Sequence, residues 1–319
     1  MQSEDVRLLK LMVRGSYDLQ QLRIAAGLRL CANFRAKLKE NEETADDDAE
    51  SEHELSADAE KVIDRLRQSY RRLTDGVARN RTLPAANGFV GDELISTYTE
   101  IVLANQYFAL EEQERRQFRQ LEANLDPIPI YATYLKDVRG VGPALAAVLI
   151  SYFDPHKARH ASSFWKYAGL DVASDGAGRS RRKEHLIERE YTDRNGKSAI
   201  RQSVTFEPWL KTKLMGVLAS SFLRTNSPWR ESFDNYKHRI ITDPSRQKVT
   251  LAEWKKRHAA GDTNMRELWA PGRIKDAALR YMVKMFLADF WVKWRTLEGL
   301  EVTQPYAVEK QGARPHKAA

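Results

Sequence analysis

Apolar residues recur at helical spacing through most of the chain, which predicts a mainly α protein. One stripe in the first segment consists of Leu19, Leu22, Ala26, Leu30 and Phe34. A second stripe consists of Val62, Leu66, Tyr70, Leu73 and Val77, after which Pro84, Gly88 and Gly91 break the pattern. A third helix is predicted from Asp92 to Leu125. Residues 1–125 are therefore predicted to form a helical N-terminal region.

The third helix carries a long, approximate apolar stripe: Leu94, Tyr98, Ile101, Phe108, Phe118, Leu121 and Leu125. Such a stripe is typical of an intramolecular bundle and also of a coiled-coil seam. The polar Asn105 interrupts it, and coiled coils tolerate such an interruption. Both alternatives stay open, and the second predicts a homodimer through the N-terminal helices.

A run dominated by carboxylates, "ENEETADDDAESEHELSADAE", separates the first two helices. It has too few apolar residues to enter a core, so a solvated acidic loop is predicted near residues 40–60. The alternative is a nucleic-acid mimic that covers a basic surface.

Pro127 and Pro129 end the long helix and mark a boundary, after which residues 126–300 are predicted to form a second domain. Within it, Asn195-Gly196 between "LIEREYT" and "SVTF" predicts a β-hairpin arm with a two-residue turn. A last helix is predicted between Gly272 and Gly299, and residues 301–319 are predicted to be a basic tail.

Cations recur along this last helix: Arg273, Lys275, Arg280, Lys284, Lys293 and Arg295. Apolar residues nevertheless cover most of its circumference. The pattern is therefore typical of a core helix whose charged ends reach water. The alternative is a basic ridge that faces DNA.

A pair of glycines in "YLKDVRGVGPALAAVLISYFD" bears on function. A dinucleotide-binding fingerprint needs a third glycine at position 145, where this chain has Leu145, and no Gly-Lys-Ser/Thr follows for a nucleotide-phosphate loop. The lead-in has helical rather than strand spacing. The pattern therefore predicts a tight corner between two helices.

This corner resembles a helix-hairpin-helix unit, in which glycines allow a tight turn at a helix N-terminus. Backbone N–H groups and the helix dipole then hold a DNA phosphate without reading the base. The predicted phosphate-binding residues of the corner are Gly140, Val141, Gly142 and Pro143. A purely structural corner is the alternative.

The charge balance agrees with a polyanionic partner. The 319 residues carry a formal net charge of +8. Cys31 is the only cysteine, which excludes an intramolecular disulfide framework and a cysteine-based zinc site. With no signal-peptide pattern and no apolar run near the roughly 20 residues of a membrane span, a cytoplasmic protein without a membrane partner is expected.

Basic residues concentrate just after the corner, and "SDGAGRSRRK" is both basic and glycine-rich. Clusters of this kind usually neutralise phosphates, although a solvated basic loop is the alternative. The predicted DNA-binding residues here are Lys166, Arg179, Arg181, Arg182 and Lys183.

The segment "VRGVGPALAAVLISYFDPHKARHASSFWKYAGLD" is similar to the carboxy-terminal domain of the bridge-RNA transposases, the insertion-sequence one-ten group. Weaker likeness continues in "NGKSAIRQSVTFEPWLKTKLMGVLASSFLR" and "ALRYMVKMFLADFWVKWR". Members are DNA recombinases that combine this domain, which supplies a nucleophilic serine, with a RuvC-like domain that holds metal ions through four acidic residues.

The resemblance implies that the serine follows "AGL", which leaves Ser180 or Ser174, with cationic neighbours favouring Ser180. Glu184 and His185 are close in sequence, but neither is assigned as its base. The N-terminal region reads as helix rather than as strands, so the RuvC-like half is not expected within this sequence. No metal site is expected in this chain, and Mg²⁺ would enter only with a RuvC-like partner.

The sequence therefore predicts a DNA-binding protein of a mobile element, acting in DNA transposition or recombination. It grips DNA through the helix-hairpin-helix and the basic loop. One alternative is an enzyme, a serine-dependent recombinase. The other is a non-enzymatic dimeric nucleic-acid scaffold or regulatory protein, and RNA as a partner follows from the resemblance alone.

Overall fold

The computed structural model describes residues 4–38, 55–262, 264–265 and 267–303. Over these residues the fold is mainly α with a few short strands, as the sequence predicts. The chain divides into two compact units, residues 1–124 and 125–319. Within the described part, no helix combines the length and the apolar character needed to cross a bilayer.

The first unit is built from three helices: α1 Glu4–Leu38, α2 Ala57–Thr74 and α3 Tyr98–Leu125. Their apolar faces share one core, which includes Ala26, Leu30, Phe34, Val62, Leu66, Ile101, Ala104 and Phe108. Asn105, which interrupts the stripe of α3, accepts a hydrogen bond from the hydroxyl of Tyr70 at 2.7 Å. The stripe thus packs within the unit, which is the intramolecular alternative; a dimer stays a prediction.

Three details of the predicted helices are wrong. The buried stripe of α1 consists of residues such as Val13, Tyr17 and Ala26, and Leu22 lies off this stripe and is 57% exposed. Val77 lies beyond the end of α2. The third helix begins at Tyr98 rather than Asp92, because the Asp92 carboxylate accepts the N–H groups of Leu94 and Ile95 and holds a turn there.

Up to position 54, the acidic loop predicted near residues 40–60 lies outside the described residues. From there the chain enters α2, and Ser56 caps it by accepting the N–H of Ala59. The predicted basic tail, from residue 304 onward, also lies outside the described residues.

The second unit places a long C-terminal helix at its centre. Its helices are α4 Pro129–Thr133, α5 Pro143–Tyr152, α6 Ala161–Tyr167, α7 Pro208–Thr212, α8 Ala219–Arg224, α9 Arg230–Thr242, α10 Leu251–Ala259 and α11 Pro271–Leu297. A π-helical segment, Lys213–Leu218, joins α7 to α8. The indole of Trp165 donates to the carbonyl of Lys284 at 3.0 Å, which ties α6 to α11.

The strands of this unit form two small sheets. β1 Ile187–Thr192 and β2 Ser198–Ser203 pair antiparallel, which confirms the hairpin. β3 Gln247–Lys248 and β4 Leu268–Trp269 pair in parallel. The predicted two-residue turn is wrong: residues 193–197 connect β1 to β2, and the Asp193 carboxylate accepts the N–H groups of Asn195 and Lys197. β2 also ends before Val204.

Candidate active site

Residues 171–185, called the serine loop below, follow α6 and fold back on themselves. The N–H of Arg179 donates to the carbonyl of Asp171, and that of Ala173 to the carbonyl of Ala177. Gly176, at φ 73°, occupies the left-handed region that the tip requires. A 3-10 turn at Lys183–His185 then brings the end of the loop back toward its tip.

This path places Ser180 against His185. The Ser180 hydroxyl oxygen lies 3.1 Å from Nδ1 of His185, and the backbone N–H of Ser180 donates to the same nitrogen at 2.9 Å. Because that N–H is a fixed donor, Nδ1 must offer its lone pair. The neutral imidazole therefore carries its proton on Nε2, and the single lone pair of Nδ1 faces the Ser180 hydroxyl as well as the Ser180 N–H.

The second ring nitrogen of His185 lies next to a carboxylate. Nε2 of His185 lies 3.1 Å from Oδ2 of Asp175, at the tip of the loop. The Asp175 carboxylate accepts the backbone N–H of Ala177, and this bond, with His185 beside it, holds its pKa below the usual range. Asp175 is thus ionised at neutral pH and orients the imidazole. The side chain of His185 is only 2% exposed.

Arg182 supplies the positive charge at the hydroxyl. Its Nε donates to the Ser180 oxygen at 3.0 Å, and its backbone N–H lies 3.3 Å from the same atom. The guanidinium also lies 3.4 Å from Oδ2 of Asp175. A serine oxygen with donors on one side and a proton acceptor on the other is arranged to lose its proton.

Ser180, His185 and Asp175 therefore have the roles of a nucleophile, a base and a group that orients the base. Such sets are recognised by geometry rather than by position in the sequence. Here Nδ1 faces the serine and Nε2 faces the carboxylate. Since the three residues span one short loop, they require only that loop to be folded.

The structure separates the two candidate serines. Ser174 is exposed and makes no hydrogen bond to the described residues, whereas Ser180 is half-buried within the network. Of the predicted basic residues, Arg179 pairs with Asp171 at 2.9 Å. Lys166, Arg181 and Lys183 are exposed.

The glycine corner lies at the start of α5. Before it the chain forms only α4 and a 3-10 turn, Leu135–Asp137, so the first helix of the predicted pair is short and broken. Gly140 has φ 95°, and the exposed Gly142 is the N-cap of α5 with no side-chain cap. Val141 is 7% exposed and packs inward, so its side chain is unavailable to a ligand.

No group of three or more potential metal ligands occurs among the described residues. The chemistry considered below uses the side chains of the serine loop.

Four polar residues around the loop were not assigned from the sequence: Asp175, His185, Lys211 and Arg280. Lys211 donates to the carbonyl of Arg179, and Arg280 lies against Gly178. Asp175-Gly176 is a recognisable turn signal, and a histidine follows within ten residues, so these two could have been noticed. Lys211 carries no local signal. Arg280 belongs to the cations that recur along the last helix, but its sequence neighbours do not indicate that it lies beside this loop.

Comparisons with known proteins give one match, which covers this part of the chain. No curated protein matches the chain, and no solved structure matches it. Residues 132–211, about a quarter of the chain, match the model of a family described as Transposase IS116/IS110/IS902 family. The similarity covers the glycine corner, the serine loop and the hairpin, and it supports a transposition-related function for this chain.

Proposed function

We propose that the second unit is a DNA strand-transfer domain in which Ser180 attacks a DNA phosphodiester during transposition. The observation that carries the proposal is the position of the Ser180 hydroxyl between Nδ1 of His185 and the guanidinium of Arg182. The family match over residues 132–211 supports DNA as the substrate.

The proposed step is a transesterification. The Ser180 oxygen bonds to phosphorus while the bond from phosphorus to one sugar oxygen breaks. The hydroxyl proton passes to Nδ1 of His185 and from there to the leaving oxygen. The products are a phosphoserine ester on one DNA end and a free hydroxyl on the other.

The phosphoserine ester conserves the energy of the broken bond. The hydroxyl of another DNA strand can attack the same phosphorus, which rejoins DNA and restores the serine. Arg182 neutralises charge that develops on the phosphate and on the serine oxygen. Ser180 is therefore assigned as the nucleophile in preference to Ser174, which has neither neighbour.

DNA binding is the second part of the proposal. The exposed Gly142 leaves the N–H groups of the first turn of α5 open to a phosphate, and Lys166, Arg181 and Lys183 are exposed cations. Contacts of this kind grip the backbone of DNA without reading its sequence. The corner and the basic loop would thus hold the duplex while the serine acts.

Covalent trapping tests this function. Duplexes with a randomised centre, a label on each strand in turn and a bridging phosphorothiolate would be mixed with the full chain and separated under denaturing conditions. We expect a protein–DNA adduct that Ser180→Ala abolishes and Ser174→Ala retains, with the phosphoserine located by mass spectrometry.

Three other outcomes of these trapping and binding experiments would contradict parts of the proposal. An adduct lost with Ser174→Ala but kept with Ser180→Ala overturns the assignment. DNA binding with no adduct on any duplex leaves the non-enzymatic scaffold. Tighter binding of an RNA competitor of equal length than of DNA contradicts DNA as the ligand.

A further inference from the structure

Three cations of α11 share one face of the helix. Arg273, Arg280 and Lys284 are separated by seven and four residues, which is the spacing of a single stripe. Lys275, by contrast, lies about 200° around the helix from Arg273 and is exposed. Within the stripe Arg273 is exposed, whereas Arg280 and Lys284 are half-buried, so these two differ from the solvated charge that the same helix carries elsewhere.

Arg280 reaches the serine loop at Gly178. A Cβ on Gly178 would lie 2.6 Å from Nη1, 2.7 Å from Cζ and 2.8 Å from Nη2 of Arg280. The guanidinium thus lies against the backbone two residues before Ser180, where a Cβ would displace it. Nε of Arg280 is buried and has no hydrogen-bond partner among the described residues.

Lys211 approaches the same stretch from α7. Its ammonium donates to the carbonyl of Arg179, the residue before Ser180, and lies 4.9 Å from the centre of the Phe206 ring. Burial, together with Arg280 and Arg179, lowers the pKa of Lys211 to about 8, while Asp171 opposes the shift. Burial also lowers the pKa of Lys284, again with Arg280 contributing.

Positive charge is therefore in excess at this place. Asp171 is the carboxylate that acts on Lys211 and on Lys284, and it is already bound by Nε of Arg179 through both oxygens. Half-buried like charges repel one another, because little solvent lies between them to screen the field. An anion next to Arg280 and Lys211 would relieve that repulsion and satisfy the buried Nε.

We infer that Arg280 and Lys211 bind a phosphate group at the backbone of residues 178–179, immediately before Ser180. The inference rests on the proposed function in one respect: the phosphate belongs to the DNA strand that Ser180 attacks. Arg280 supplies a planar pair of donors and Lys211 a point charge, which together match a phosphodiester. Without a Cβ on Gly178, the guanidinium can occupy this place beside the loop.

The test compares two charge removals on one helix. Arg280→Gln removes a cation from the stripe, and Lys275→Gln removes one from the opposite side. Both are made in the Ser180→Ala background, so that binding is measured without chemistry. The probe is a short fluorescent DNA duplex followed by anisotropy, with inorganic phosphate and an RNA duplex as competitors.

We expect the DNA dissociation constant to rise about tenfold or more for Arg280→Gln and less than about threefold for Lys275→Gln, since a charge-assisted contact to phosphate is lost only in the first. Lys211→Met, which keeps the length of the side chain, should also weaken binding. This second variant keeps the inference testable if Arg280→Gln fails to fold. Equal effects of Arg280→Gln and Lys275→Gln, or normal binding by Lys211→Met, overturn it.

The two proposals fail separately. If wild-type protein binds DNA through Arg280 but forms no adduct, the phosphate site stands and Ser180 is not a nucleophile. If Arg280→Gln and Lys211→Met, with Ser180 present, form the adduct at the wild-type rate and affinity, the nucleophile stands and the phosphate site does not. If inorganic phosphate displaces the DNA probe from wild type and from Arg280→Gln and Lys211→Met equally, the two residues do not hold the phosphate of the strand, and the inference is overturned.

Discussion

Gly140 lies so close to Phe222 that a Cβ on Gly140 would be 2.8 Å from Cδ1 of the ring. The same Cβ would be 2.8 Å from Oγ1 of Thr225, and the φ of 95° is one that other residues rarely adopt. Gly142 differs on both counts, because its φ is −83° and nothing lies within 4 Å of its Cβ position. The fold requires the first glycine and does not require the second.

Substituting these glycines should therefore separate stability from binding. Gly140→Ala should lower the free energy of unfolding by about 2–4 kcal/mol, from backbone strain and the contact with Phe222. Gly142→Ala should cost less than about 1 kcal/mol. Gly142→Val should fold but weaken DNA binding severalfold, since its side chain covers the N-terminus of α5. Urea denaturation and anisotropy give the two readouts; normal DNA affinity of Gly142→Val would remove the corner from the binding surface.

His185 should control the rate of adduct formation. Replacing a general base typically costs about 10²–10⁴-fold, so His185→Gln should lower the adduct rate on phosphorothiolate-free duplexes by that amount. The effect on DNA affinity should be small, because His185 is buried and contacts Ser180 rather than solvent. Circular dichroism and anisotropy serve as controls for folding and binding. A variant that binds DNA normally and reacts at the wild-type rate would exclude His185 as the base.

Asp175 is a positioning residue, and its substitution tests the tautomer. In Asp175→Asn the amide can donate to Nε2, which would move the imidazole proton to Nδ1 and leave no lone pair there for the Ser180 proton. We expect a slower adduct rate whose pH profile is altered, with unchanged DNA affinity. An identical pH profile for Asp175→Asn and wild type contradicts the role of the carboxylate.

The helices were predictable because burial at helical spacing is a local property, but their limits depend on caps. The long helix begins at Tyr98 because Thr97 and Glu100 form a capping box: the Glu100 carboxylate accepts the N–H of Thr97, and Oγ1 of Thr97 accepts the N–H of Glu100. The letters "TYTE" carry this signal, although the apolar pattern alone placed the start at Asp92. The stripe of α1 was misplaced at Leu22 for a similar reason, since an approximate period does not fix the buried face.

The serine loop was less accessible to sequence reasoning. The resemblance narrowed the candidate nucleophile to Ser180 and Ser174, and neighbouring charge favoured Ser180. The contact between Ser180 and His185 was not predictable, because their five-residue separation follows neither the helical nor the strand period. A left-handed tip at Gly176 and a 3-10 turn at Lys183–His185 bring them together. Arg280 is a hundred residues away in sequence, so its place beside Gly178 depends on tertiary packing.

The hairpin provides a prediction in which stability and binding move in opposite directions. Arg189 lies directly opposite Arg201 in the register, and both are exposed. Like charges in this position destabilise a strand pair, so Arg189→Glu should stabilise the hairpin by about 0.2–1 kcal/mol. The same change should weaken DNA binding and reduce its salt dependence, since a cation that neutralises phosphate is lost.

Hydrogen exchange of the hairpin amides and anisotropy at several salt concentrations measure the two effects. Lys255→Glu, an equal change of charge at an exposed position on α10, is the control. If the two variants weaken binding equally, the hairpin contributes only net charge. If Arg189→Glu leaves the affinity intact, the arm does not contact DNA.

Lys211 makes the binding of DNA depend on pH in a defined direction. In the free protein its pKa is lowered to about 8 from 10.5, first by burial and then by Arg280 and Arg179, against the opposing effect of Asp171. A phosphate beside the ammonium favours its protonated form, so binding should take up a proton above about pH 8. DNA affinity should therefore fall as pH rises from 8 to 9.5. The arginines keep their charge over this range.

The stability of the free protein should change with the opposite sign. Between about pH 8 and 10.5 the unfolded chain holds a proton that folded Lys211 has released, so this residue makes the free energy of unfolding rise with pH in that window. Lys211→Met should lose both dependences, whereas Lys275→Gln should keep them. Anisotropy titrations and urea denaturation from pH 7 to 9.5 measure the two slopes. A wild-type DNA affinity that is flat across pH 8, or one that falls equally in Lys211→Met, would mean that no phosphate lies at Lys211.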